Sequence, residues 1–167
     1  PRLAIARWTL QGLEKIRDEE GWWKSGDIAH FVEDRSQKHL TIDGRIDFAI
    51  NSGGETVFPE QLEARLLASV AVKEASVKYL LFLPIDDPNW GQRLIAIVRF
   101  NEDEAFDVVS SRKRLLREFV ESWLPAERPV EWYICNELAP NSLGKWERQK
   151  WVEWLNGERE CGCMRMI

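Results

Sequence analysis

Residue types able to do chemistry gather in four short stretches. In "LAPNSLGKWERQKW", residues 138 to 151, Pro140, Asn141, Ser142 and Gly144 build a turn through fixed φ, side-chain to backbone bonding and a permissive backbone. Turn chemistry does not account for Lys145 at the tip, which on spacing alone reads as a solvated charge at a loop end. In "WWKSGDIAH", Asp27 follows Gly26 at the start of a strand, where a carboxylate can accept two hydrogen bonds from a vicinal diol such as ribose. A turn-forming or capping aspartate is the ordinary alternative. "DGRID" sets Arg45 between two acids, either as a structural ion-pair residue or as a ligand for phosphate or ribose. "NSGGETVFP" is a glycine-rich turn ahead of a helix, whose amides can meet an anion or let an extended ligand pass close to the backbone.

The elements that must position these residues follow from periodicity. "DIAHFVED" alternates Ile28, His30 and Val32 against Ala29 and Phe31, "DRSQK" turns the chain, and "HLTIDGR" returns with Leu40 and Ile42 on one face, a β-hairpin. After Gly44, the period-two repeat of Ile46, Phe48 and Ile50 predicts a strand that the double glycine stops. Pro59 then suits a first helical position, Glu60 and Glu63 complement the helix dipole, and Leu62, Leu66 and Leu67 give an apolar stripe. "VKEASVKYLLFLP" and "RLIAIVRF" read as strands joined by the turn "PIDDPNWGQ"; "VEWYI" is a further short strand, and a last helix covers about 146 to 156. The order predicts an α+β fold, a small sandwich with helices on a roughly three-stranded sheet, preceded by a β-hairpin that belongs to something else.

Composition narrows the partners. A net charge of -5 argues against a duplex nucleic-acid binder, and the local basic run "SSRKRLLREF" spaces its charges as one face of an amphipathic helix over about 107 to 123. With 44% hydrophobic and 31% charged residues, and no apolar run near the roughly 20 residues of a membrane span, the expectation is a soluble, cytoplasmic protein. The opening residues "PRLAIARWTL" do not form a secretory signal, and the missing initiator Met predicts a fragment. Three cysteines and two histidines fit no zinc pattern; the Cys161 and Cys163 pair reads as a frayed, reduced terminus, and no metal site is expected. Nine tryptophans, three of them (Trp146, Trp151, Trp154) in the last helix, read as core and interface packing rather than a stacking platform.

The order of the four stretches carries more than any one of them. Gly-Asp, then Gly-Arg-x-Asp, then Gly-Gly-Glu-x-Val-x-Pro-x-x-x-Glu, then Pro-x-x-x-Gly-Lys-x-x-Arg resembles the carboxy-terminal motifs of the adenylate-forming (acyl-CoA synthetase, AMP-binding) enzymes, over about Gly21 to Leu155. Within that superfamily, "HLTIDGRIDFAINSGGETVFPEQLEARL" and "ERPVEWYICNELAPNSLGKWERQKWVEWL" are most similar to the o-succinylbenzoate–CoA ligase branch of menaquinone and phylloquinone biosynthesis.

The resemblance implies a two-step reaction in which a carboxylate and ATP give acyl-AMP and pyrophosphate, and the acyl group then passes to the CoA thiol. It implies that Lys145 bridges the substrate carboxylate and the α-phosphate during adenylation, that Asp27 and Arg45 bind the nucleotide, and that Asp47 is the hinge. Rotation about Asp47 then presents the face carrying Gly53 and Gly54, where absent side chains leave room for the pantetheine arm of CoA. Residues 1–45 are expected to be the end of the large N-terminal AMP-binding domain (the β-hairpin region), 46–157 the mobile C-terminal domain, and 158–167 a tail. ATP, Mg2+ and CoA are expected as substrates or cofactors of a longer enzyme, none bound tightly by this chain. The missing N-terminal domain is its expected partner, with no nucleic acid and no membrane span. Another aryl- or fatty-acyl-CoA ligase, a peptide-synthetase adenylation domain, or a non-catalytic interaction module on the same fold remain the alternatives.

Overall fold

Two short antiparallel ribbons are the regular structure of the chain's first 45 residues, among those described. The computed structural model describes residues 5–34, 37–101, 106–161 and 165–166, and divides the chain into two compact units, Pro1–Asp47 and Phe48–Ile167. In the first unit β1 (Ala6–Thr9) pairs with β2 (Gly12–Lys15), and β3 (Asp27–Asp34) pairs with β4 (Gln37–Arg45). The β3–β4 register sets Ala29 opposite Ile42 and Phe31 opposite Leu40, so these four share a face, with His30 opposite Thr41 on the other. A two-stranded ribbon has no second layer to cover that face, and Phe31, Leu40 and Ile42 are exposed. A bulge between Ile28 and Ala29 shifts the register by one residue and leaves Asp43 out of the ladder, from where its carboxylate meets the His30 ring at 2.8 Å.

The predicted strand through Ile46, Phe48 and Ile50 forms only in part. Gly44 and Arg45 complete β4, Ile46–Phe48 make a single 3₁₀ turn, and β5 is confined to Ile50–Ser52. Ile46 points into solvent, so its apolar character reflects no buried strand face. β5 turns directly into β6 (Glu55–Val57), with Ser52 opposite Glu55 across a two-residue loop.

The sheet of the second unit has six strands, not the roughly three expected. Its centre is β8 (Gly91–Phe100), which pairs antiparallel with β7 (Val77–Asp87) and parallel with β9 (Glu131–Ile134). β5 joins β8 where Ser52 meets Gly91, β6 extends that edge, and β10 (Arg165–Met166) pairs with β9. The β5–β6 hairpin and β10 were not legible, since each strand is two or three residues long and shows no periodicity. "VKEA" is another correction. Its first three residues end α2 (Val70–Glu74) and Ala75 is the C-cap of that short helix, whose start is capped by Ser69 Oγ accepting the Val72 amide at 3.3 Å; β7 begins only at Val77.

Both faces of the sheet are covered, which is why β7 and β8 read as unbroken apolar runs. Leu80 and Phe82 of β7, with Leu94, Ala96 and Val98 of β8, pack on α1 (Pro59–Leu67), α2 and α3 (Phe106–Val120) through Leu62, Leu66, Val72, Leu116 and Val120. Leu81 and Leu83, with Ile95 and Ile97, pack on α4 (Arg148–Cys161) through Trp151 and Leu155. Each large apolar side chain so buried contributes about 1.5–3 kcal/mol relative to exposure. Pro84 is tolerated inside β7 because, among the described residues, that strand pairs with β8 alone and leaves its other edge unladdered. Pro59 opens α1 as expected, whereas Leu67 faces solvent. The tryptophans divide: Trp123, Trp132 and Trp151 are buried, while Trp8, Trp22 and Trp23 of the first unit are exposed. α4 runs on to Cys161; Cys163 lies outside the described residues. Among the described residues no helix is long and apolar enough to cross a membrane.

Candidate functional site

In the first unit, strand register brings the two predicted nucleotide residues together. Asp27 opens β3 directly opposite Arg45, the last residue of β4. The Asp27 amide donates to Ser25 Oγ at 3.1 Å, and the Ile46 amide donates to Gly26 O at 2.8 Å, which closes the ends of the ribbon. Gly26 has φ +82°, and a Cβ there would stand 3.2 Å from Arg45 Nη2, so the bare backbone makes room for the guanidinium. Arg45 lies between two carboxylates, 2.6 Å from Asp47 Oδ2 and 3.8 Å from Asp27 Oδ1. The three side chains are 38–57% exposed. Pairs this open contribute about 0–1 kcal/mol to stability, and carboxylates beside a guanidinium fork are the chemistry that suits a ligand carrying hydroxyls and phosphate. Asp47, the predicted hinge, sits in the 3₁₀ turn at the division between the two units.

The remaining predicted residues lie in the second unit on two separate turns. Gly53 and Gly54 form the loop of the β5–β6 hairpin with φ +61° and +91°, the two positive values that a tight hairpin turn of this kind requires. Their surroundings differ. A Cβ on Gly53 would lie 2.4 Å from Cε3 of Trp90, whose carbonyl accepts the Gly53 amide at 2.9 Å, whereas Gly54 faces open space. The room left by the missing Gly53 side chain is therefore filled by the Trp90 ring, which Arg93 covers at 4.4 Å, and the open side of the turn is at Gly54.

Lys145 is exposed on a turn that is bonded within itself. Asn141 Oδ1 accepts the amides of Leu143 and Lys145 at 3.1 and 2.9 Å, its own amide donates to Lys145 O at 2.9 Å, and its carbonyl accepts the Gly144 amide at 2.9 Å. The flanks are anchored. Leu138 is fully buried and its carbonyl accepts from Arg99, while Trp146 meets Tyr79 edge-on at 5.9 Å. An ammonium is thus presented to solvent from a fixed loop between β9 and α4.

Sequence reasoning missed what lies behind that loop. Glu63, expected at the surface as a partner of the helix dipole, points inward and receives both Arg148 nitrogens, Nη1 at 3.0 Å and Nη2 at 2.8 Å. Each side chain is only 9% exposed. Arg148 Nη1 also donates to Phe82 O at 2.8 Å, and the Phe82 amide donates to Glu63 Oε1 at 2.7 Å. Burial pushes the Glu63 carboxyl above its ordinary range, and the bonds from Arg148 and Phe82 partly hold it down. The signal was present, since these are the last residues of the Pro-x-x-x-Glu and Gly-Lys-x-x-Arg patterns. Among the described residues no three His, Cys, Asp or Glu side chains gather where a metal ion could sit.

No protein-family model matches the chain. It is 35% identical over 126 residues to a 2-succinylbenzoate–CoA ligase of Geobacillus sp., an alignment covering 75% of this chain and 23% of that protein. It is 31% identical over 137 residues to a 4-chlorobenzoate–CoA ligase of Arthrobacter sp., covering 81% of this chain and 24% of that protein. Among solved structures it superposes on a variant of E. coli MenE with bound OSB-AMS, with a TM-score of 0.59 and 28% identity, over 86% of this chain and 28% of the other. The chain spans about a quarter to a third of the length of the curated relatives it matches.

Proposed function

The chain corresponds to the carboxy-terminal part of an adenylate-forming acid–CoA ligase, and from that premise we propose that it supplies the adenylation lysine, part of the nucleotide site and the hinge of such an enzyme. The whole enzyme would convert a carboxylate and ATP, with its Mg2+, to acyl-AMP and pyrophosphate, and then move the acyl group to the thiol of CoA. The carboxylate we assign is o-succinylbenzoate, because relatives at 35% and 28% identity carry that ligase name. The 31% identical 4-chlorobenzoate–CoA ligase supports a second reading, a different aryl acid, and a panel of acids offered to the whole enzyme separates the two. The reaction belongs in the cytoplasm, where ATP and CoA are both at hand.

The observation that carries this reading is the exposed Lys145 on an internally bonded turn with anchored flanks. Its charge would sit between the substrate carboxylate and the α-phosphate, holding two mutually repelling anions in line and stabilising charge that develops at phosphorus. Asn141 fixes the loop, so the lysine enters and leaves by motion of the unit that carries it. In this reading residues 1–45 finish a large N-terminal domain and the second unit turns about Asp47. Asp27 and Arg45 hold the ribose and neighbouring phosphate of the nucleotide, since one offers acceptors to a diol and the other a fork of donors. After rotation the Gly53–Gly54 turn lines the path of the pantetheine arm, with Gly54 as its open side.

The test is Lys145→Ala in the whole enzyme, with each half-reaction assayed by itself. Adenylation should fall by roughly 10² or more, and thioester formation from supplied acyl-adenylate should persist. Equal loss in both would remove Lys145 from the adenylation step. This chain alone should form no thioester, because it spans only a fraction of the enzymes it resembles.

A further inference from the structure

We propose that the buried Glu63–Arg148 pair is the positioning device for Lys145, a role that rests on the adenylation reading above. Phe82 shows how the pair is built. In the β7–β8 ladder Phe82 lies opposite Ala96, yet its amide donates to Glu63 Oε1 at 2.7 Å and its carbonyl accepts from Arg148 Nη1 at 2.8 Å. Both backbone groups of this residue therefore point to the outer edge of β7, where the carboxylate and guanidinium receive them as a neighbouring strand would. The same guanidinium stacks 5.4 Å from the Phe48 ring, the first residue of its unit, and forms two parallel bonds with Glu63 of α1. One side chain thus joins α1, the edge of β7, Phe48 and the first turn of α4.

Arg148 is also the first residue of α4, with only Trp146 and Glu147 between it and Lys145. The lysine turn cannot set its own place, because among the described residues its hydrogen bonds run within 141–145, and a Cβ on Gly144 would meet open space. Where its tip stands is decided by how the two flanks are fixed. On the α4 side the Trp146 ring against Tyr79 holds the chain next to the lysine, and the Arg148 fork adds planar geometry that fixes rotation as well as distance. A buried ion pair is often no more stabilising than apolar side chains of similar size, so directional bonding is what this pair adds. Displacement of a reacting charge by about 1 Å is enough to slow a chemical step on the order of 10²-fold.

The decisive variant replaces both partners with apolar residues, Glu63→Leu with Arg148→Met, so that no buried charge is left unpaired. In the whole enzyme adenylation should fall at least about tenfold, chiefly in kcat, while thioester formation from supplied acyl-adenylate stays within about twofold. In this chain the amides of residues 141–145 should exchange faster while those of β8 keep their protection. Adenylation at the parent rate in a folded double variant would overturn the proposal, and so would equal loss in both half-reactions, which a merely structural pair produces. If the double variant does not fold, Arg148→Lys carries the same readouts, since an ammonium keeps the charge but cannot reach Glu63 and Phe82 O as a fork. A parallel Lys145→Ala enzyme separates the two ideas: normal adenylation there removes the adenylation reading, while unchanged exchange at 141–145 in the double variant removes the positioning role.

Discussion

At the scale of single residues, two glycines that look alike in sequence do different work. Gly53 has both a positive φ and the Trp90 ring against the space where a Cβ would go, whereas Gly54 has the positive φ alone. Gly54→Ala should cost about 1–2 kcal/mol from backbone strain. Gly53→Ala should add about 1–3 kcal/mol for overpacking against Trp90, so that urea unfolding ranks it clearly below Gly54→Ala. Equal midpoints would mean that Trp90 moves aside without cost. The double glycine was visible in the sequence, but its partner was not, because Trp90 reaches it through the β5–β8 contact, which no local pattern announces. Glu63 was misjudged for the same reason. Its place near the start of α1 suits a dipole partner, and only the tertiary approach of α4 and β7 turns it inward.

Elements were legible in proportion to their length and periodicity. The eleven- and ten-residue strands β7 and β8 are buried on both faces and announce themselves as apolar runs, and Pro59 marks α1. The five-residue α2, the strands β5 and β6 and the 3₁₀ turn at Ile46–Phe48 are too short to show a period. That turn is where the proposed hinge is tested. Proline fixes φ near -65°, so Asp47→Pro should hold the whole enzyme in one arrangement and slow one half-reaction at least about tenfold more than the other. Asp47→Ala, which removes the bond to Arg45 but leaves φ free, should slow the two half-reactions by similar factors. Normal rates for both steps in the proline variant would move the pivot elsewhere.

At the scale of the whole chain, the two units differ in what supports them. The second has two apolar layers around one sheet, and Leu94 to Val98 of β8 are wholly buried. The first rests on two-stranded ribbons whose Phe31, Leu40, Ile42 and Trp8 face solvent. Ribbons of that kind are marginal without a covering layer. Amides of β3 and β4 in this chain should therefore exchange through local opening, orders of magnitude faster than those of β8, which should open only with global unfolding. Protection of β3 equal to that of β8 in an exchange experiment would contradict this division. Adding the rest of a ligase of the matched kind should slow exchange in β3 and β4 and leave β8 unchanged.

The edge of β7 also bears on solubility. Leu80, Leu81, Phe82 and Leu83 form an apolar, uncharged run, and a strand of that composition with open backbone groups is a template for pairing with another molecule. At Phe82 both outward groups are already engaged, by Glu63 and Arg148. In the folded chain a charged pair in that position occupies the two backbone groups that a foreign strand would need at Phe82, so the residues argued to hold the lysine loop also close that point of the edge.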